Sequence, residues 1–213
     1  FELNTDIMLP NPSLRDNGKR SIEMIERIFQ NQHHSIAAIM IEGSSGTAGC
    51  HVYPYGYYNK LEKMARDHDI LVIVDEVMSG FGRTGKMFAY EHYNGTPDII
   101  TMAKGLTNGC VPMGAAIISS KLAKDYEETP VNNGLTYSGH PLACVAANVC
   151  LHLYTDELLE QVRKNGDTIR GYLNYMALNY PQLIKEYRGM GQLYCVEFYD
   201  DNVAYIQKAL MDK

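Results

Sequence analysis

The chain has 213 residues, of which 46% are apolar and 21% are charged, and its formal net charge is -6. This composition is ordinary for a folded globular protein, and the length suits one large domain or a domain with a smaller addition. The acidic balance and the lack of a block of Lys and Arg argue against nucleic acid as a partner. No apolar run approaches the roughly 20 residues that span a bilayer, so we expect no membrane partner.

The five cysteines are odd in number, and their spacing does not match a paired metal site. The seven histidines are scattered along the chain, so we assign no metal-binding residue. Reduced thiols in or near the core are typical of a cytoplasmic protein, and we expect both that state and that location. The cysteines are Cys50, Cys110, Cys144, Cys150 and Cys195.

The first part of the chain predicts a loop, a helix, a strand and a second helix. Residues 1–20 are polar and hold two prolines, which favours a loop. Ser21 to Gln30 carries isoleucines at helical spacing, and Ile36 to Ile41 is an apolar strand that ends on Glu42. Tyr58 to His68 has the periodicity of a second helix and leads directly into the next apolar run.

The next stretch holds the strongest signals. Five apolar residues without alternation, Ile70 to Val74, predict a strand buried on both faces, and Asp75 follows it. A second apolar run, Ile99 to Ala103, leads directly to Lys104. The order of strand, helix and strand predicts a βαβ unit, so the sheet should be parallel. Ligands bind at the carboxyl edge of such a sheet, where Asp75 and Lys104 are expected to lie.

The rest of the chain predicts one further strand and then a mainly helical segment. The composition becomes more charged after residue 154, which suggests two domains, 1–153 and 154–213. The remaining predicted elements are a strand at Gly114–Ile118, a short helix from Lys121, a polar loop at Glu127–Gly134, helices at Pro141–Tyr154, Asp156–Leu178 and Val203–Met211, and a strand at Leu193–Phe198.

The glycine-rich loop Ser79–Lys86 resembles two nucleotide-binding motifs. Gly80 to Gly85 satisfies G-x-G-x-x-G, and Lys86 extends the match toward a P-loop. A P-loop requires Ser or Thr after the lysine to bind magnesium, and here Met87 follows it. Both motifs place their first glycine almost directly after the strand, whereas Asp75 to Ser79 intervene. The sequence therefore argues against a nucleotide-binding function.

Lys104 and Asp75 each allow a structural and a chemical interpretation. Structurally, Lys104 extends from the sheet edge into solvent, and Asp75 ends its strand and caps the next turn. Chemically, a partly buried lysine is suited to attack a carbonyl and form a Schiff base. Pyridoxal phosphate needs such a lysine and a carboxylate that keeps its ring nitrogen protonated, so that the ring can accept electrons from a substrate carbanion. The two residues alone leave both interpretations open.

The run VDEVMSGFGRTGKMFAYEHYNGTPDIITMAKGL closely resembles the core of the class III pyridoxal-phosphate aminotransferases. The segments IEGSSGTAG, TYSGHPLACVAA and RGMGQLYCVEF extend the resemblance, in the same order, from about Ile36 to Phe198. The resemblance implies an α/β fold of fold-type I, in which the mostly parallel sheet of a large domain precedes the beginning of a small α+β C-terminal domain. It also implies pyridoxal 5'-phosphate as the cofactor and a homodimer as the assembly.

The same resemblance assigns roles to four residues. Lys104 forms the Schiff base with the cofactor, and Asp75 faces the pyridine nitrogen. Val77 packs against one face of the ring. Thr136 is expected to reach the cofactor phosphate across the dimer interface, near the start of the helix at Pro141.

Two positions depart from the pattern of many class III enzymes. Met78 stands where a glutamine touches the phenolic oxygen of the cofactor. Thr47 stands where members that act on α-amino acids and ornithine often carry a glutamate. Both departures resemble the ω-aminotransferases, which accept β-alanine, taurine or other primary amines. We therefore expect transfer of an amino group from an ω-amino acid or primary amine to pyruvate or 2-oxoglutarate.

Two alternatives stay open. An aminomutase or racemase of the same fold would carry the same Lys104 and Asp75. The family's phosphate-binding cup and stacking aromatic residue lie upstream of the residues given, and the carboxylate-binding arginine of many members lies downstream of Lys213. The chain is therefore expected to be about half of a full enzyme, and by itself a non-catalytic fragment.

Overall fold

The computed structural model describes residues 12, 16–129, 131, 134–199 and 203–212. Most of the predicted N-terminal loop, 1–20, lies outside these residues, as does part of the predicted loop Glu127–Gly134. The described residues form a four-stranded sheet, a separate two-stranded sheet and the helices around them.

The four-stranded sheet has the order β1-β2-β3-β4. Its strands are β1 (Ala38–Glu42), β2 (Leu71–Asp75), β3 (Ile99–Met102) and β4 (Ala115–Ile118). The prediction of a parallel sheet is confirmed for β1, β2 and β3, whereas β4 runs antiparallel to β3. The chain between β3 and β4 holds only a short 3-10 turn, Lys104–Leu106. A parallel connection normally needs a crossover helix, so the chain reverses direction instead.

Two helices, α1 (Lys19–Gln32) and α2 (Tyr57–Asp67), cover one face of this sheet with apolar side chains. The opposite face is only partly covered: Met40 is 54% exposed and Ile73 is half-buried. The prediction that the second strand is buried on both faces is therefore wrong for one face, because the described helices pack on the other. Among the described residues, the larger buried apolar cluster consists of Ile25, Phe29, Ile39, Tyr57, Tyr58, Leu61, Ala65, Ile70, Val72 and Val74. A smaller cluster consists of Phe81, Met102, Leu106 and Ala147.

The C-terminal part begins with α3 (Ser120–Lys124), α4 (Pro141–Leu151) and α5 (Asp156–Asn179). An antiparallel hairpin of β5 (Ile184–Met190) and β6 (Leu193–Phe198) follows, and the last helix is α6 (Val203–Met211). The sequence did not predict β5, because its charged side chains obscure any apolar pattern. Lys185 and Arg188 of this strand instead form ion pairs with Glu197 on β6. The domain boundary near residue 154 stays a prediction.

Cysteine exposure departs in part from expectation. Cys50 and Cys150 are buried and Cys195 is half-buried, but Cys110 and Cys144 are exposed. The prediction of core or near-core thiols is therefore wrong for two of them. Cys110 lies in the open loop after the Lys104 turn, and Cys144 lies on the outer side of α4.

The described residues hold neither a metal-binding cluster nor a single membrane-spanning helix. No group of three or more His, Cys, Asp or Glu is arranged to hold a metal ion. No single helix among these residues combines the length and hydropathy needed to cross a membrane. The two helices Pro141–Leu151 and Asp156–Asn179 have them only when taken together, and their axes differ by 71°.

Candidate functional site

Three polar side chains come together at the carboxyl edge of the sheet. The β1–β2 register pairs Glu42 with Asp75, and the β2–β3 register pairs Asp75 with Thr101. Paired residues of neighbouring strands project from the same face of a sheet. Glu42, Asp75 and Thr101 therefore share the partly covered face, which leaves this edge accessible to a ligand.

Asp75 is half-buried at the end of β2. Its Oδ1 accepts a hydrogen bond of 2.8 Å from the backbone N–H of Val77, which is also half-buried. Asp75 thus caps the following turn, as its structural interpretation predicts. Within the described ranges no donor contacts Oδ2, so one carboxylate oxygen stays available for a ligand.

Thr101 carries a buried polar atom without a partner. Its Oγ1 has no hydrogen bond to any described residue, although it is shielded from solvent. Such orphaned hydroxyls are rare in folded proteins, because a buried unsatisfied group costs free energy. Since Thr101 pairs with Asp75, the unsatisfied hydroxyl marks the same edge as the open carboxylate oxygen. No motif in the sequence indicated this residue.

Lys104 lies three residues beyond Thr101, where the 3-10 turn Lys104–Leu106 begins. Its side chain is exposed, so the predicted partial burial is not found. The turn carries the lysine past the end of β3 to an open cavity of about 380 Å³, and neither Asp75 nor Val77 lines that cavity. Its lining consists of Lys104, Thr107, Gly109, Val111, Pro112 and Met113.

Thr136 lies in an exposed turn just before α4. In the part of the chain that the structure describes, it has no hydrogen bond to Asp75, Val77 or Lys104. The fold therefore brings Asp75 and Val77 together and places Lys104 in the turn after the next strand, but it does not bring Thr136 to them. Its predicted contact across a dimer interface stays a prediction.

Glu76 differs from its neighbour Asp75 because it is completely buried. Its carboxylate accepts hydrogen bonds from the Ser79 hydroxyl, at 2.6 Å, and from the Tyr90 N–H, at 2.9 Å. Burial raises the pKa of Glu76 above its usual range, because the charged form loses its hydration. A Cβ at position 43 would lie 2.4 Å from Glu76 Oε1, so Gly43 makes room for this carboxylate. Glu76 thus anchors the glycine-rich loop to the 3-10 helix Ala89–Tyr93.

The loops that follow β1, β2 and β3 are each held by a donor from the C-terminal part. Arg188 Nε donates to the Gly49 carbonyl at 2.6 Å, and Arg163 Nη1 donates to the Gly85 carbonyl at 2.7 Å. The Tyr154 hydroxyl donates to the Gly105 carbonyl at 2.6 Å. No pattern in the sequence indicated these three donors. They act on backbone carbonyls at least 49 residues away, and no local motif encodes such a contact.

The two positions that depart from the common family pattern are close in space. A Cβ at Gly46 would lie 2.4 Å from Met78 Sδ, so the Met78 thioether packs directly on the residue before Thr47. Thr47 itself is exposed. Met78 and Thr47 therefore border the same part of the edge, between the loops that follow β1 and β2.

Comparison with known proteins gives a family match over almost the whole chain. The family described as Aminotransferase class-III matches residues 3–212. Three similar solved structures follow, each with its sequence identity, the share of this chain covered, the share of that chain covered and the TM-score. A thermostable (S)-enantioselective omega-transaminase from Thermomicrobium roseum is 33% identical, with 90% of this chain and 43% of that chain covered and a TM-score of 0.80. An S-selective transaminase from Arthrobacter sp. is 36% identical, with 84% of this chain and 39% of that chain covered and a TM-score of 0.79. A taurine:2-oxoglutarate aminotransferase from Bifidobacterium kashiwanohense is 29% identical, with 95% of this chain and 51% of that chain covered and a TM-score of 0.85.

The chain spans about half or less of the length of each of these structures. The mixed sheet and surrounding helices of this chain agree with a segment of an α/β fold of fold-type I, as the sequence predicts. The match over residues 3–212 covers both the edge that holds Asp75 and the turn that holds Lys104. The chain therefore belongs to the class III aminotransferases.

Proposed function

We propose that the protein containing this chain is a pyridoxal-phosphate-dependent aminotransferase. One observation carries the proposal: in a chain of this family, a carboxylate with one open oxygen and an exposed lysine follow neighbouring strands at one sheet edge. The Bifidobacterium aminotransferase, which has a TM-score of 0.85, was solved in complex with PLP and glutamate. That neighbour supports the same cofactor for this chain.

The residues present fit this cofactor. The exposed amine of Lys104 can form a Schiff base with the aldehyde of the cofactor. Asp75 Oδ2 is open to a protonated ring nitrogen. The orphaned Thr101 hydroxyl gives the same edge an unused polar group. Val77 would contact the ring. Thr136 would reach the phosphate of a cofactor bound to the other subunit.

When bound, pyridoxal phosphate supplies a ring that accepts electrons from the substrate carbon. The Asp75 carboxylate holds a proton on the ring nitrogen, because its negative charge stabilises the cationic form. Lys104 holds the cofactor between turnovers. Once a substrate amine had displaced it, the free Lys104 Nζ would take the proton from the substrate carbon as a base and deliver it to the cofactor as an acid.

We further propose an ω-amino acid or primary amine as the donor and pyruvate or 2-oxoglutarate as the acceptor. Thr47 is uncharged and exposed, so an arginine brought to this edge would meet no carboxylate at position 47 and could bind an acidic group of the substrate. Met78 packs beside it and adds an apolar surface. The omega-transaminase and the taurine:2-oxoglutarate aminotransferase among the neighbours support this substrate class.

The assembly proposed for the full-length protein is a homodimer. Helix α4 packs small side chains inward, including Ala143 and Ala147, but leaves Leu142, Val145 and Val149 about 60% exposed. A second subunit on this face would bury these side chains and would bring the exposed Thr136 turn toward its site. The mass of the full-length protein by light scattering tests this assembly, and a monomer at assay concentration would contradict it.

The decisive experiment is nitrogen transfer by the full-length protein supplied with pyridoxal phosphate. Labelled nitrogen from an amine donor should appear in a keto acid acceptor. Lys104→Ala should lower turnover at least about 10³-fold, because it removes both the cofactor anchor and the base. It should also change the visible spectrum of the bound cofactor. An unchanged spectrum in this variant would disprove the role of Lys104.

The control in this experiment separates the alternatives. An aminomutase or racemase also needs Lys104 and the cofactor, but it rearranges a single substrate and leaves the label in the donor's own carbon skeleton. A panel of β-alanine, taurine, 4-aminobutyrate and ornithine then tests the donor class. A clear preference for ornithine would contradict the proposed substrates, since no carboxylate stands at Thr47.

A further inference from the structure

The turn that carries Lys104 has a strained backbone. Lys104 has a φ of 40°, in the left-handed region that residues with a Cβ rarely adopt. The next residue, Gly105, packs so closely on Phe81 that an added Cβ would lie 2.6 Å from the Phe81 Cβ. Such a conformation persists only when surrounding contacts hold it in place.

The Gly105 carbonyl is the point at which the turn is held. It accepts a hydrogen bond of 2.6 Å from the Tyr154 hydroxyl and one of 3.3 Å from the Asn108 N–H, which uses both of its lone pairs. The Tyr154 hydroxyl also lies 3.2 Å from Asn108 Oδ1. One tyrosine oxygen therefore contacts the residue after Lys104 and the residue that closes the turn.

The local sequence fixes the position of Tyr154. It lies between α4 and α5, directly before Thr155, whose side chain caps α5 by accepting a hydrogen bond from the Leu158 N–H at 3.3 Å. Its ring lies 5.5 Å from the ring of Phe81, the residue on which Gly105 packs. Burial raises the pKa of Tyr154, which keeps its hydroxyl protonated as a donor.

We propose that Tyr154 is a positioning residue for Lys104: its hydroxyl fixes the Gly105 carbonyl and so holds the turn in the conformation that presents the lysine amine. The proposal rests on the proposed function for its catalytic consequence. The contact joins the predicted second domain, which begins at residue 154, to the turn of the first.

Tyr154→Phe tests the proposal, because it keeps the ring on Phe81 and removes only the hydroxyl. Tyr57→Phe is the matched control, since it removes a buried hydroxyl that lies 2.7 Å from Ser21 Oγ, far from the turn. Two quantities are measured on the full-length protein. One is kcat and KM for the amine donor, and the other is hydrogen exchange of the backbone amides 106–110 in the cofactor-free protein.

In Tyr154→Phe we expect kcat to fall about tenfold and KM to change less than about twofold, because the net value of one hydrogen bond corresponds to about that factor in rate. The amides 106–110 should exchange about tenfold faster, because the turn opens more often. Tyr57→Phe should change neither quantity. Unchanged exchange in Tyr154→Phe, an unchanged kcat, or equal effects in both variants would overturn the proposal.

The two readouts also separate this proposal from the proposed function. If the wild-type protein transfers no nitrogen, the proposed function fails, and hydrogen exchange alone decides the positioning. Faster exchange confined to amides 106–110 then supports it, and unchanged exchange overturns it.

Discussion

The sheet with its two covering helices and the C-terminal part of the chain are held together by different forces. In the first region apolar side chains are fully buried between β1, β2, α1 and α2, as Val72 and Leu61 illustrate. In the second region α4 leaves Leu142 and Val145 61% exposed, and β5 is paired through charged side chains. Hydrophobic burial therefore stabilises the first region, whereas the second is attached to it by polar contacts and by a smaller apolar cluster that includes Phe81, Met102, Leu106 and Ala147.

This difference matters at the sheet edge, where the two regions meet. Arg163, Arg188 and Tyr154 donate to backbone carbonyls of the three loops that surround Asp75 and Lys104. A hydrogen bond to a backbone carbonyl fixes the position of a loop without restricting the side chains of that loop. Truncating a buried apolar side chain of the first region should therefore lower the stability of the fold most, and substituting these donors should shift the edge at a smaller cost in stability.

The largest effect is expected from Leu61→Ala in the full-length protein. Leu61 is 1% exposed in the core between α2 and the sheet, and its truncation should lower the free energy of unfolding by about 3 kcal/mol. The matched control is Leu178→Ala on α5, where the side chain is already 71% exposed. This control should cost less than about 0.5 kcal/mol, as surface substitutions do. Urea unfolding measures the free energy of unfolding of both variants. Equal losses would contradict the proposed difference between the two regions.

The sequence predicted the first region well because its signals are local. The continuous apolar runs before Asp75 and Lys104 predict two strands and the positions where they end, without knowledge of the partner strands. The direction of each strand and the coverage of each sheet face were harder to predict. The strand at Ile70–Val74 is covered on one face only, and β4 reverses direction, since both features depend on which helices and loops pack nearby.

The site was predicted in part for the same reason. Asp75 and Lys104 could be identified because strand-end charges and a long family motif mark them. Thr101 and Glu76 carry no such signal: one is defined by a missing hydrogen bond and the other by complete burial. Tyr154 contacts a carbonyl 49 residues earlier, a separation that no periodicity encodes.

An intermediate effect is expected from Arg188→Met, which breaks a contact between the two regions. The Arg188 side chain is 14% exposed and donates to the Gly49 carbonyl at 2.6 Å. Losing a charged, mostly buried donor should cost about 2 kcal/mol, and amides of the loop 43–50 should exchange faster. Arg170→Met is the control, because its ion pair with Asp167 is 63% and 70% exposed and stays within α5. That pair should contribute less than about 0.5 kcal/mol. Comparable losses in both variants would mean that Arg188 does not join the regions.

The smallest effect is expected from Glu76→Gln, and it should appear as a dependence on pH. Glu76 is a completely buried carboxyl of the first region, and burial raises its pKa in the folded protein above the ordinary value of 4.5. Below pH 4.5 the carboxyl is protonated in both states and contributes its full stability. As the pH rises through this value, the unfolded chain releases the proton first, so the folded state loses stability until its own carboxyl ionises.

Glu76→Gln removes this titration while its amide keeps an acceptor for the Tyr90 N–H and a polar partner for Ser79. As the pH rises above 4.5, the free energy of unfolding should therefore fall in the wild type but not in the variant. The resulting difference should be smaller than the losses expected for Leu61→Ala and Arg188→Met. Urea unfolding across pH 4 to 8 measures the difference, and Glu26→Gln on the exposed side of α1 is the control. A constant difference across this range would show that the buried carboxyl binds its proton no more tightly in the folded protein. The same slope in Glu26→Gln would show that burial of Glu76 is not its cause.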